Sequence, residues 1–511
     1  MANQYLIGLD IGTSGAKCIL VDQTGRVVAS KTEEYPLYTP KPGWAEQNPA
    51  DWWAAIARGC QAIIQKAQVP SEQILGLSLS GQMHGLVALD QARHVIRPSI
   101  LWCDQRTQKQ CDDLTRLVGG PAALRSYTNN QMLTGYTGGK LLWLKELEPE
   151  NYARMDVFCC PKDYIRFLLT GEIAIDVSDA SGTGFFNTEK RQWNDQLIEK
   201  AGLDKRVFPT SLESTDLAGT VTREAAQETG LPVGLKVYAG GGDAVIQTTG
   251  SGLVKPGILG VVIGTAGNVA MGFQGFHENP EGKLQMFCNN APGLWHALGC
   301  TQAAGSAYRW YRDTLCEGEI ARAKASGQNV YDLMGAQAAS SKPGSNGVIY
   351  LPYLAGERCP YPDPNCRSVF YGMNLGTTRG DMTRSVMEGV TYSLKQVIEL
   401  ITRVAPAEKV YTSGGGAASP LWRQIQADVF DLPVYTMSAA SEGGAYGAVL
   451  VAGVGAGVWR DLSEAITVLR VETETLPCKA NQAAYGDAFG LYEMLYPALK
   501  PAFDQSARLG W

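Results

Sequence analysis

Three glycines and an aspartate, in the run Ala239-Gly240-Gly241-Gly242-Asp243-Ala244, follow a strand-like segment from Leu235 to Tyr238. Glycines clear side chains from the neighbourhood, so the Asp243 carboxylate can meet a bound molecule at close range. There it could accept the proton of an alcohol attacking a γ-phosphate, or simply cap the next helix. Near the start, Asp10-Ile11-Gly12-Thr13-Ser14-Gly15-Ala16-Lys17 lets successive backbone N–H groups turn toward an anion. The Thr13 and Ser14 hydroxyls and the Lys17 ammonium add donors. The pattern suits phosphates and also fits a plain glycine-rich hairpin. Asp10, at a strand end, carries the hard oxygen that Mg2+ prefers.

The same turn chemistry returns at Gly264-Thr265-Ala266-Gly267, and Ser413-Gly414-Gly415-Gly416-Ala417 sits at a strand-to-helix junction. There a backbone could approach a flat ring such as adenosine, or just enter a helix. Neither GxxxxGK[ST] nor GxGxxG in a strand-to-helix context is present, so a nucleotide needs another holding device. Ser80-Gly81-Gln82-Met83-His84-Gly85 ends a strand from Ile74 to Ser80. Flanking glycines favour a pocket loop there, although a lone His or Met also serves a core. Trp102 and Asp104 could add a stacking wall and a hydroxyl acceptor, or be a core Trp beside a helix-capping Asp.

These residues need strands that end together. Tyr5 to Asp10, Ala16 to Val21 and Val27 to Ser30 read as a meander with turns at Gly12 to Gly15 and Asp22 to Arg26. A helix capped by Asn48 with Pro49 in its first turn follows, apolar at Trp52, Ile56, Ala57, Ile63 and Ile64. GLDIGTSGAKCIL and GVVIGTAGNVAMG, each opening about half of the chain, suggest one α/β fold duplicated. The expected boundary lies around Ser251 to Pro256.

At 511 residues the chain exceeds one ordinary core. Its 45% hydrophobic and 18% charged residues are globular, and 44 basic against 50 acidic side chains leave no footprint for nucleic acid or an anionic membrane. The amino-terminal MANQYLIGLDIG has no basic-then-apolar leader pattern, so a cytoplasmic location is expected. Twelve scattered cysteines without a CxxC pair are read as reduced and mostly buried, and no zinc spacing appears. The uncharged stretch GGAYGAVLVAGVGAGVW, from Gly443, reads as a buried helix of small residues and is too short and glycine-rich to span a bilayer.

Together the motifs resemble the FGGY family of carbohydrate kinases, within the actin-like, ribonuclease-H-like ATPase superfamily. The resemblance spans nearly the whole chain. It is most specific in GLDIGTSG, in GYTGGKLLWLKE from Gly135, in AGGGDA and in SGGGA, and the segment from Ser368 is similar to the family's second signature. It implies an α/β protein of two ribonuclease-H-like domains, each a mixed sheet flanked by helices, with an ATP and sugar cleft between them. Residues 1–252 would hold the sugar, the first phosphate hairpin and the base, and residues 253–511 the ATP.

SGQMHG, PSILWCDQR, PKDYIRFLLTGE and SDASGTG are similar to family members acting on D-xylulose rather than glycerol, whose corresponding loop carries an Arg-Glu pair. The resemblance thus implies phosphorylation of D-xylulose to D-xylulose 5-phosphate by MgATP. Another ketose or polyol (ribulose, xylitol, gluconate) and an actin-like ATP switch are the alternatives. By motif, Asp243 is the general base and Asp10 the metal ligand. Met83, His84, Trp102, Asp104 and Asp243 meet the sugar, and Thr13, Ser14, Lys17, Gly264, Thr265, Gly305, Gly415, Gly416 and Ala417 meet ATP. The implied partners are the ketose and ATP, without nucleic acid or membrane, and with a homodimer left open. Cys103 stands where relatives often have Asn, Leu147 replaces a polar signature position, Ala266 stands for a commoner Ser, and Asn268 for an apolar residue.

Overall fold

A computed structural model describes residues 3–438 and 442–509. The opening alternation becomes an antiparallel meander of β1 (Tyr5–Ile11), β2 (Gly15–Asp22) and β3 (Val27–Glu34). Helix α1 (Pro49–Ala67) follows, its first turn capped by the Asn48 side chain, which accepts from the Ala50 N–H. Trp52, Ile56 and Ile63 are buried on its inner face, so α1 acts as the crossover that brings β4 (Ile74–Gly81) back parallel to β1. Farther along come α2 (Thr137–Leu147), α3 (Pro161–Thr170), α4 (Val177–Ser181), β5 (Leu217–Thr220), β6 (Lys236–Tyr238), β7 (Gly241–Gly242) and α5 (Asp243–Gly250). The first sheet has the order β5-β6-β4-β1-β2-β3, with β7 pairing the end of β4.

The second half repeats the plan. Strands β8 (Ile258–Ile263) and β9 (Gly267–Gln274) form the hairpin, and β10 (Leu294–Thr301) lies beside β9. Helices α6 (Gly305–Leu315), α7 (Arg379–Thr402) and α8 (Pro420–Phe430) flank the sheet's later strands, β11 (Lys409–Gly414), β12 (Val434–Met437) and β13 (Val471–Thr475). Here β11 runs parallel to β8 and β12 parallel to β11, as β4 runs parallel to β1 and β6 to β4. The duplication expected from the two GT turns is therefore present in strand order as well as in sequence.

The chain forms two compact units, one of residues 3–255, 272–296 and 442–469, the other of residues 256–271, 297–438 and 470–509. The sequence-contiguous division 1–252 and 253–511 differs from this, because the chain returns twice to the first unit. Residues 439–441, 510 and 511 of that division, and Met1 and Ala2 of the leader reading, lie outside the described residues.

The second return is made by α9 (Gly443–Gly455), the uncharged glycine-rich segment, which lies on β1 and β4 and against α5. Contact is backbone-close: a β-carbon on Gly8 would collide with the Ala445 carbonyl, and one on Gly447 with the Ile246 carbonyl. Larger residues at those two positions would push the helix off the sheet. Among the described residues, no helix is long and apolar enough to cross a membrane. Nine of the twelve cysteines are buried and Cys478 is exposed.

Candidate functional site

Strand register gathers three of the predicted motifs at one edge. Asp10 pairs Ser80 and Ile11 pairs Gly81 along β1 and β4, while Gly241 pairs Ser80 and Gly242 pairs Gly81 along β7 and β4. The Thr13 turn, the Gln82–His84 loop and Asp243 thus all leave the carboxyl ends of adjacent parallel strands, where open α/β sheets place ligands. The three glycines are required sterically. Gly240 takes φ +81° against the Leu79 carbonyl, a β-carbon on Gly241 would fall on the Asn290 amide nitrogen, and one on Gly242 would lie 2.5 Å from Met83 Cγ and 2.9 Å from Asp179 Oδ1.

Asp243 is the first residue of α5, one position past the N-cap Gly242, and a half-buried carboxylate at the strand edge. Burial first and the nearby Asp10 charge second raise its pKa to about 7, against the opposing backbone N–H groups of Ala244 and Met83. A carboxyl poised near neutrality suits general-base work. Burial also raises Asp10, against the Ser80 hydroxyl, which donates to its Oδ1 at 2.6 Å, and the Lys17 charge. Lys17 itself forms a 2.7 Å ion pair with Glu442, just before α9, a partner that nothing in the Lys17 motif announces.

His84 has φ +69°, unusual for a non-glycine residue, and its ring packs 4.7 Å from Tyr136. Burial, helped by Lys140, lowers its pKa to about 3, so the imidazole is neutral. Its carbonyl accepts from Lys140 Nζ at 2.7 Å and from the Thr137 hydroxyl at 3.1 Å, both at the start of α2. Lys140 is fully buried, also donates to the Gly135 carbonyl, and is lowered to about 7 by burial. It lies inside the GYTGGK motif, whose spacing gave no hint of a residue bracing the His84 backbone.

Trp102 is 39% exposed, and its ring N–H donates to Thr13 Oγ1 at 2.9 Å, which leaves its faces available as a wall. Asp104 departs from the hydroxyl acceptor expected there. It is fully buried, one oxygen takes the Arg106 N–H (2.9 Å), the other takes the Ala45 N–H (2.6 Å), and both take the Arg106 guanidinium. Its acceptor capacity is spent on the protein, so it anchors the loop beneath Trp102.

Under this strand edge lies a buried ionic cluster. Lys162 Nζ reaches Asp163, Asp176 and Asp179 at 2.6, 2.8 and 3.0 Å, and Arg166 reaches Asp163 at 3.0 Å, every side chain having zero exposure. Burial works against the lysine charge, yet the three carboxylates outweigh it and raise its pKa; Asp179 is itself raised well above the usual range by burial. Asp176 accepts from the Ser178 hydroxyl at 2.5 Å, and Ser178 Oγ in turn accepts the Gly242 N–H at 2.9 Å. The cluster is thereby wired to the residue before Asp243. Asn290 closes it from another side, donating to Ser214 at 2.9 Å and accepting from Thr249 at 3.0 Å. Cys160, Asp163 and Asp179 offer ligand atoms within 4.8 Å of one another, but the Lys162 ammonium already occupies the centre of those carboxylates.

The second unit brings its own predicted residues together. Ile263 pairs Gly414, so the Gly264–Gly267 turn and the Gly415–Ala417 turn leave neighbouring parallel strands. Gly305 N–H donates to the Gly264 carbonyl at 2.7 Å, while Ala304 N–H and the Ser306 hydroxyl donate to that of Thr265 at 3.0 and 2.7 Å. The amino end of α6 is thus pinned to the turn. A β-carbon on Gly305 would stand 2.5 Å from the Gly264 carbonyl, and one on Gly416 2.6 Å from Ile263.

Known proteins are similar to this chain over nearly its whole length. The chain is 36% identical to the xylulose kinase of Bacillus subtilis over 499 residues, 97% of each chain. It is 29% identical to the gluconokinase of the same organism over 433 residues, 84% of this chain and 83% of that one. The crystal structure of xylulose kinase from Rhodospirillum rubrum superposes with a TM-score of 0.89 at 29% identity, covering 98% of this chain and 100% of that one. Two mixed α/β sheets with matching glycine turns and this whole-chain likeness define a carbohydrate kinase. Residues 5–250 match the N-terminal domain and residues 261–456 the C-terminal domain of the FGGY family of carbohydrate kinases, and the chain belongs to that family. Kinases of this family take their phosphoryl group from ATP.

Proposed function

We propose that the chain transfers the γ-phosphoryl group of ATP to the 5-hydroxyl of D-xylulose, with Asp243 as general base. The observation that carries this reading is the closeness of Met83, whose Cγ lies 2.5 Å from where a Gly242 β-carbon would stand and whose backbone N–H faces the Asp243 carboxyl, with its pKa of about 7. Met83 and the neutral His84 would shape the ketose site, with Trp102 as its wall. Asp243 would accept the hydroxyl proton on a carboxylate oxygen as the bond to phosphorus forms. Full-length likeness to xylulose kinases supports the pentulose over gluconate, whose kinase matches less of the chain at lower identity.

Backbone N–H groups of the Thr13–Ser14 turn would serve the phosphates, since the Thr13 hydroxyl is engaged with Gln82 and Trp102. Gly264, Thr265, Gly305, Gly415, Gly416 and Ala417 would serve the rest of the nucleotide. Asp10 fits a hard divalent cation: its carboxylate is half-buried and one oxygen is oriented by the Ser80 hydroxyl. Bound Mg2+ would supply neutralisation of the phosphate charge. Lys17, held by Glu442, would add positive potential near Asp10 rather than a freely moving phosphate ligand.

The test is a panel of D-xylulose, ribulose, xylitol, gluconate and glycerol assayed by coupled ADP release. D-xylulose is expected to give a kcat/KM at least about tenfold above the others, the discrimination that one well-placed polar contact provides. A higher value for gluconate or ribulose would reassign the substrate, and ADP release indifferent to every sugar would remove the kinase reading.

A further inference from the structure

Two buried glutamines lie between the phosphate turn and the sugar loop. Gln47 is 1% exposed and Gln82 has no exposure. Gln47 Nε2 donates to the Thr13 carbonyl at 2.8 Å and to that of Pro36 at 3.1 Å, and its Oε1 accepts from Trp52 Nε1 at 3.0 Å and from Gln82 Nε2 at 2.8 Å. All four hydrogen bonds available to a primary amide are made. Gln82 closes the ring, its Oε1 accepting from the Thr13 hydroxyl at 3.3 Å. That same hydroxyl accepts from Trp102 Nε1 at 2.9 Å. Gln82 directly precedes Met83, and its own N–H donates to the Ile11 carbonyl at 2.8 Å.

Such a ring does more than fill space. An apolar core at this spot would be cheaper, because each buried amide must be fully paired to avoid a desolvation penalty. Here the pairing selects one relative position for two loops that leave different strands. The backbone of the phosphate turn, the wall residue Trp102 and the loop carrying Met83 and His84 are all referred to the same two side chains. Phosphoryl transfer depends on that register, since a displacement of about 1 Å between reacting groups costs on the order of 100-fold in rate.

We propose that Gln47 and Gln82 are positioning residues that hold the Thr13 turn and the Met83–His84 loop in one register, so that the sugar hydroxyl rather than water meets the donor phosphate. The proposal rests on the kinase reading above but not on the identity of the sugar. It gives the ring a readout that stability alone would not produce. Loosened alignment lowers turnover while leaving the sugar-contacting side chains in place, and it lets water compete for the phosphoryl group.

The experiment measures ADP and sugar phosphate separately for wild type, Gln47→Met, Gln82→Met and the double variant, using whichever panel sugar wild type turns over fastest. A sugar other than D-xylulose would change the substrate assignment without touching this test. Each single variant is expected to lose about 10- to 100-fold in kcat with the sugar KM within about threefold, and to release more than one ADP per sugar phosphate formed. The double variant should lie within about threefold of the weaker single variant, because both changes break one ring. Should Gln47→Met fail to fold, Gln82→Met, which removes only two side-chain bonds, decides the matter. Folded variants with kcat within about threefold of wild type and one ADP per product would overturn the proposal, as would a loss confined to melting temperature.

Discussion

Asp243→Asn is expected to lower kcat by about 10²- to 10⁴-fold, the range assigned to removal of a general base, while the affinity for a non-hydrolysable ATP analogue changes little. Asparagine keeps the size of the side chain, and its amide oxygen can still face the Ala244 N–H that now lies 2.7 Å from Asp243 Oδ1. The loss therefore reports on the proton acceptor and not on a collapsed loop. The acid limb of the wild-type pH profile belongs to the same group. With a pKa near 7 in the free protein, the base is protonated and idle below that value, so kcat/KM should fall as pH drops through it. Asp10→Asn, by removing a negative neighbour that raises the pKa, should move that limb to lower pH in whatever activity remains.

The stability consequence has a definite sign. The Asp243 pKa is raised above its unfolded value, so the folded protein binds this proton more tightly, and the group's stabilising contribution is lost as pH rises from about 4 to about 7. At pH 8 the native state carries a poorly solvated anion that Asn does not. Asp243→Asn should accordingly melt above wild type at pH 8, with the difference closing toward pH 5 in scanning calorimetry. A residue that is inactive when replaced, yet destabilising when present, has the signature of a site kept for chemistry.

The second large effect concerns Lys162→Met, expected to cost about 3–5 kcal/mol in urea unfolding followed by circular dichroism at pH 7.5, the range for breaking a buried ion pair from one side. Methionine replaces the length of the stem, so packing survives and the charge alone is lost. Two cations now face Asp163, Asp176 and Asp179; the variant leaves Arg166 alone against three carboxylates, none of them exposed. Activity should fall as well, because Asp176 holds Ser178 and Ser178 holds the Gly242 N–H beside Asp243. A cost under about 1 kcal/mol would mean that the carboxylates accept protons instead, and that the cluster is not the charged support described above.

Much of this site was legible because its turns are built from backbone. Gly12 to Gly15, Gly240 to Gly242, Gly264 to Gly267 and Gly414 to Gly416 are places where no β-carbon fits or where strands must end together, and glycine leaves that constraint visible in the sequence. Asp243 stood out by its glycine frame, and the duplicated hairpin exposed the repeated sheet order. What stayed hidden depends on side chains meeting across long separations. Lys17 finds Glu442 over 400 positions away, Gln47 finds Thr13 and Gln82, and Lys162 gathers acids from two segments. Lys140 reads like any helix lysine until its ammonium is seen on the His84 carbonyl. Asp104 misled for the same reason, because its acceptors are consumed by Arg106 and Ala45, contacts that spacing does not disclose. The returns of the chain to the first unit also escaped notice: the small residues of α9 advertise close packing but not the sheet they pack on.

The most direct test is to incubate the protein with MgATP and D-xylulose and follow phosphorus by NMR. Wild type should convert the γ-phosphate into a single phosphomonoester on the C5 oxygen, one for each ADP formed, and Asp243→Asn should form almost none over the same interval. Accumulation of inorganic phosphate in place of the ester, or an equal yield of ester from Asp243→Asn, would contradict the account.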